Sequence, residues 1–180
     1  MITPVVETTS VKTAKVRYKK KWLKLRTSRH VDDASIWMFI DGSSTGWHAA
    51  IILNPFTNKI TKIAEFKKSK NRNVGPELRS LLIGLQDVDP SKPLTVVHDF
   101  IGTAAWLTGA WTINSDYVRE IIGLIQEIIK SRNFNSIKFI HHSSHQTDHS
   151  HFTQFNNEVD QLCNNQKLIH LVADWYFEKL

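Results

Sequence analysis

From position 36 the chain reads IWMFIDGSS, an apolar run that ends in an acid and turn residues. Such a run predicts a buried strand with Asp41 at its end. WHAAIILNP and KITKIAEFKK follow, separated by the turn cluster NPFTN, and predict two further strands in an antiparallel meander. In NRNVGPELRSLLIGLQDV, leucines 78, 81, 82 and 85 recur at helical spacing and Pro76 suits a first helical turn. KPLTVVHDF is a short β-branched strand that again ends in an acid, Asp99. GTAAWLTGAW reads as a short helix and turn. SDYVREIIGLIQEIIKSRN is an amphipathic helix with Ser115 as its N-cap. SIKFIHH predicts another strand, NNEVDQLCNN another short helix, and the closing ADWYFEKL a further helical segment. The order β-β-β-α-β-α-α-β-α predicts an α/β protein, a mixed five-stranded sheet with helices on its faces.

Charge divides this picture. The net charge is +6, yet residues 11–30 hold nine Lys/Arg and no Asp or Glu. The remainder from 31 onward has 14 basic against 16 acidic residues, so the body is mildly acidic. We therefore expect a basic leader over 1–33 and a folded domain over 34–180. Lys19, Lys20, Lys21 and Trp22 interleave charge with an aromatic ring, a combination suited to a phosphate backbone. A solvated tail, or an edge strand docked on the body, is the equal alternative. A single cysteine excludes an intrachain disulfide. No apolar run approaches a membrane span, and no signal-peptide core is visible. A soluble, cytoplasmic monomer without membrane or protein partners is the expectation.

The chemistry-bearing residues are acids and histidines. Asp41 and Asp99 end strands, Glu77 opens a helix, and Asp160 lies on the helix after a histidine-rich loop. Taken singly, each acid is as well explained by a turn or a helix's first turn. Converging, they would repel one another and call for divalent cations, with oxygen ligands favouring Mg²⁺ or Mn²⁺.

Four blocks in order carry a resemblance. FIDGSSTGWHAAIIL resembles the first strand and turn of type 1 ribonuclease H domains, and NVGPELRSLLIGL resembles their Asn-x-x-x-Glu-Leu helix start. LTVVHDFIGTAAWLTGAW resembles the third-acid strand, and SSHQTDHSHFTQFNNEVD the final histidine loop with Asn-x-x-x-Asp. The resemblance covers about residues 36–165. It implies a ribonuclease H-like fold and a two-metal endonuclease that cuts the RNA of RNA/DNA hybrids, giving 3′-OH and 5′-phosphate ends. By position it assigns Asp41, Glu77, Asp99 and Asp160 as catalytic metal ligands, Gly42, Ser43 and Asn73 as substrate contacts, and His145 as the loop histidine. It also matches Asn156 to an asparagine that shapes a helix start.

Departures from the family accompany these matches. Phe100 follows Asp99 where many relatives have serine, and Ser144 replaces the glycine before the histidine. The segment 100–120 lacks the basic protrusion of some relatives, and the leader could supply that grip. His142 and His149 are the alternatives to His145. A zinc site on His142, His145 and His149 lacks a nearby cysteine to close it. Two other functions stay open, a DNA-directed nuclease of the same broad fold and a silent nucleic-acid-binding module.

Overall fold

The structure is a computed structural model and describes residues 5–7, 31–69 and 72–165. Strand β1 spans Val5–Glu7, β2 Ile36–Gly42, β3 Trp47–Asn54 and β4 Lys59–Phe66. Helix α1 (Val74–Asp87) leads to β5 (Leu94–His98), and α2 (Gly102–Leu107) to α3 (Asp116–Ser131). Strand β6 (Ile137–His141) and helix α4 (His151–Asn165) complete the described chain. The expected order of elements holds over 36–165. Among the described residues no helix is long and apolar enough to cross a membrane.

The sheet runs β1-β6-β5-β2-β3-β4. Strands β2, β3 and β4 form the antiparallel meander, while β5 and β6 join parallel to β2. These are the five expected strands. The short β1 adds a sixth, parallel to β6, so residues 5–7 of the expected leader join the sheet. Lys19, Lys20, Lys21, Trp22 and the closing ADWYFEKL lie outside the described residues.

All seven residues of β2 are buried, which identifies it as the central strand covered on both faces. The period of two sends Ile36, Met38 and Ile40 to one face and Trp37, Phe39 and Asp41 to the other. On the first face they meet Leu78, Leu81 and Leu85 of α1 and Ile121, Ile122 and Ile125 of α3. On the second they meet Phe152, Phe155 and Val159 of α4. Phe39 contacts Phe155 with ring centroids 5.0 Å apart. Ser115 caps α3 through its side chain, which accepts from the Val118 amide. Lys62 of β4 and Glu158 of α4 form an ion pair buried to 9% and 3% side-chain exposure.

Candidate active site

The site forms where the parallel central strands end side by side. Phe39 pairs with Val97 across β2 and β5, so Asp41 and Asp99 follow in register two residues later. Gly42 then explains how a helix can reach this edge. A Cβ at Gly42 would stand 2.2 Å from the Glu77 amide nitrogen and 2.3 Å from the Pro76 carbonyl carbon. Only glycine lets the first turn of α1 sit directly on the end of β2. That contact delivers Glu77 to Asp41. Asn73 starts the helix, its carbonyl accepting from the Glu77 amide at 2.9 Å.

Asp41, Glu77 and Asp99 each offer an oxygen, and these oxygens lie within 4.8 Å of one another. Asp41 and Glu77 are buried to 7% and 4% exposure. Burial, followed by the charges of Asp99 and Asp160, pushes the Asp41 carboxyl up to about 8. The same burial, with Asp99 and Asp41 beside it, raises Glu77 well above the usual carboxylate range. Asp99 is raised too, chiefly by burial, and the charge of His141 works in the opposite direction. Glu77 Oε2 and Asp99 Oδ1 are buried without a hydrogen-bond partner. Unpartnered oxygens of this kind, in a trio free of thiol or imidazole, fit a hard divalent cation.

Asp160 comes from α4. It stands outside the tight trio but lines the same cleft, and its charge helps to raise the Asp41 carboxyl. Its carboxylate accepts from Asn164 Nδ2 at 2.7 Å. Cys163, one turn on, donates its thiol to the Asp41 carbonyl at 3.1 Å and ties α4 to the end of β2. Gly42, Ser43 and Asn73 line the cleft, together with His145. So the structure gathers all of the predicted site residues it describes.

The five clustered histidines divide by role. His145 is exposed on the loop at the cleft, with φ +56°. His142 is 3% exposed and bonded to Thr153 Oγ1 at 3.0 Å, which makes it a structural residue. Thr153 in turn donates to Asp148 at 2.7 Å, and Asp148 also accepts from Ser150 Oγ at 2.5 Å, closing the base of the loop. His141 donates through Nε2 to the Asp99 carbonyl at 2.8 Å and fixes that turn. His151 Nδ1 accepts from the Val31 amide. His149 is exposed and does not line the cleft. Among the described residues, the grouping that could hold a metal is the acidic one, so the histidine zinc alternative finds no support.

Asn156 does not shape a helix start, because α4 already begins at His151. Asn156 sits one turn before Asp160, buried in the cleft wall with Oδ1 unpartnered. Sequence reasoning also missed Ser44, Asn157 and Asn164 on the cleft wall. For Asn164 a signal was available, because Asn156 and Asn164 flank Asp160 four residues to either side and so share its helix face.

Comparison of the fold with solved structures decides its class. The RNase H1 of the halophilic archaeon Halobacterium salinarum aligns over 72% of this chain and 95% of its own, with a TM-score of 0.57 at 18% identity. The chain has the ribonuclease H fold. LC11-RNase H1, isolated from compost and solved with an RNA/DNA hybrid, aligns over 72% of this chain and 94% of its own (TM-score 0.58, 17% identity). The N-terminal RNase H domain of a Mycobacterium tuberculosis protein aligns over 72% and 97% (TM-score 0.54, 17% identity). No protein-family model matches the sequence, and no curated protein matches it. Within the ribonuclease H fold, the acids stand at the ends of the two central parallel strands and on the two helices that close over them.

Proposed function

We propose that this chain is a divalent-cation-dependent endonuclease that hydrolyses the RNA strand of RNA/DNA hybrids, leaving 3′-OH and 5′-phosphate ends. The observation that carries the reading is the buried trio Asp41, Glu77 and Asp99, whose oxygens converge with two of them unpartnered. A module that merely bound nucleic acid would gain nothing from burying acids against a phosphate. The solved hybrid complex of LC11-RNase H1, a protein of this fold, supports the choice of substrate.

Asp41, Glu77 and Asp99 would hold the ions, Mg²⁺ or alternatively Mn²⁺, and Asp160 would complete the set. When bound, such ions lower the pKa of water and neutralise charge on the leaving oxygen. Gly42 and Ser43 face the scissile phosphate from the cleft wall, and Asn73 hydrogen-bonds the hybrid. His145 sits on the exposed loop at the cleft, where its imidazole can accept a proton and give it up again as product leaves. The wide, shallow minor groove of an A-like hybrid presents the 2′-hydroxyls to such a surface. The basic leader of residues 1–33, with Lys19, Lys20, Lys21 and Trp22, adds a grip to the catalytic domain of 34–180. The protein acts as a cytoplasmic monomer.

The test uses a hybrid with labelled RNA, incubated with wild type and Asp41→Asn in Mg²⁺, Mn²⁺ or EDTA. Matched double-stranded RNA and DNA run alongside. Cation-dependent cutting of the hybrid's RNA alone, lost in Asp41→Asn, is the expected result. No cutting with either cation, or cutting of DNA, sinks the reading.

A further inference from the structure

We propose that Trp47 and Phe66, with Lys67 and Lys68, form a second grip that holds the hybrid backbone away from the cleaved bond; this rests on the function proposed above. Trp47 opens β3 and pairs across the ladder with Phe66, the last residue of β4. Their ring centroids are 5.6 Å apart, and Phe66 is 55% exposed. The step is held firmly. At Gly46, with φ +109°, a Cβ would stand 2.7 Å from the Lys67 carbonyl oxygen and 3.0 Å from the Phe66 ring. The Lys67 amide donates to the Gly46 carbonyl at 3.1 Å.

The step is continuous with the cleft. Ser43 and Ser44 line the cleft, and Ser43 closes a turn onto Trp47 by donating its amide to the Trp47 carbonyl at 2.8 Å. Lys67 and Lys68 are both exposed. Glu65 is the nearby acid, but strand alternation turns it to the opposite face from Phe66, 4.0 Å from His48. An acidic cleft repels a polyanion, so attraction has to come from its surroundings. Residues 100–118, on the other side of Asp99, contain no Lys or Arg. An exposed aromatic step can cover sugar edges while the lysines meet phosphates.

Lysines just past the end of an edge strand have a plainer use, since they block pairing with another sheet. β4 is such an edge. A guard works with either sign of charge, whereas a phosphate grip does not. Charge reversal therefore separates the two. Wild type, Lys67→Glu/Lys68→Glu, Phe66→Ser and Phe66→Leu would be titrated with fluorescent hybrid in Ca²⁺ across a range of KCl, and assayed for cleavage in Mg²⁺. Unfolding midpoints in urea serve as the folding control.

The double reversal is expected to lower the slope of log affinity against log salt by about 1.8, at roughly 0.9 per phosphate contact. It should raise KM with kcat unchanged. Phe66→Ser should weaken binding about fivefold, with Phe66→Leu recovering part of it. If the wild type cuts the hybrid and the double reversal binds and cuts like it, the grip is overturned while the function stands. If the wild type binds hybrid without cutting it, the function falls, and the change in slope still decides the grip. No hybrid binding by the wild type overturns both.

Discussion

Without cations, the buried acids should make the folded protein lose stability as pH rises, and Asp41→Asn should remove much of that loss. The Asp41 carboxyl is pushed from 3.8 up to about 8 in the folded chain. Between those values the folded state holds a proton that the unfolded state releases, so stability falls as pH increases. At about 1.36 kcal/mol per unit, the cost at pH 7 reaches an upper bound of about 4 kcal/mol. Glu77 and Asp99 are raised too and push the same way. Buried His98 opposes them. Its pKa is lowered from 6.5 to about 4, chiefly by burial, so it costs stability as pH falls below 6.5. His48, lowered by its own burial, acts likewise. The clean window is therefore pH 6.5 to 8, where Asp41 alone should account for a fall of up to about 2 kcal/mol. Urea melts in EDTA at pH 6.5, 7, 7.5 and 8 would measure it. Asp41→Asn should flatten part of the slope and melt several degrees higher at pH 7, at roughly 2–4 °C per kcal/mol. Saturating Mg²⁺ should stabilise the wild type by about 2.7 kcal/mol at a hundredfold excess over its Kd, and the variant less. A wild type whose stability is flat or rising through this window, or an Asp41→Asn no more stable at pH 7, would refute the reasoning.

Other substitutions probe the supports around this centre. Gly42→Ala drives a methyl group into the backbone of α1 and displaces Glu77, so kcat should fall by about 10²-fold in the cleavage assay. His145→Ala should slow turnover by about 10²-fold and leave the urea midpoint unchanged, whereas His142→Ala should lower stability by about 1–3 kcal/mol. Lys62→Met strands the buried Glu158 carboxylate and should cost about 3–5 kcal/mol in chemical denaturation. Adding Glu158→Leu should recover most of that loss.

The central sheet was legible because β2 and β5 are short apolar runs that stop at acids, and parallel neighbours stopping together put those acids side by side. The helices were legible from leucine and isoleucine spacing and, for α3, from the Ser115 cap. Strand β1 was not, since three residues carry too little period to register against a charged leader. From the residues alone the histidines were legible as a cluster but not by role, and it was the family resemblance that singled out His145. Which of them faces the cleft depends on strand alternation at 141 and 142 and on the hydroxyl network under the loop, both properties of the folded chain.

Gly42 carries the same lesson further. In the sequence it is one residue of a turn-like Asp-Gly-Ser, and a turn explains it fully. In the fold it belongs to β2, and its missing side chain is the space that α1 occupies. The site therefore depends on a close backbone contact as much as on its acids. Replacing an acid leaves that contact intact and should relieve repulsion, whereas replacing Gly42 keeps every acid and separates them. The two classes of variant should accordingly part in stability while agreeing in lost activity. Asp41→Asn should be inactive and more stable without cations, and Gly42→Ala should be strongly slowed and less stable. Should both lose stability alike, repulsion among the acids is not the dominant strain in the cation-free site.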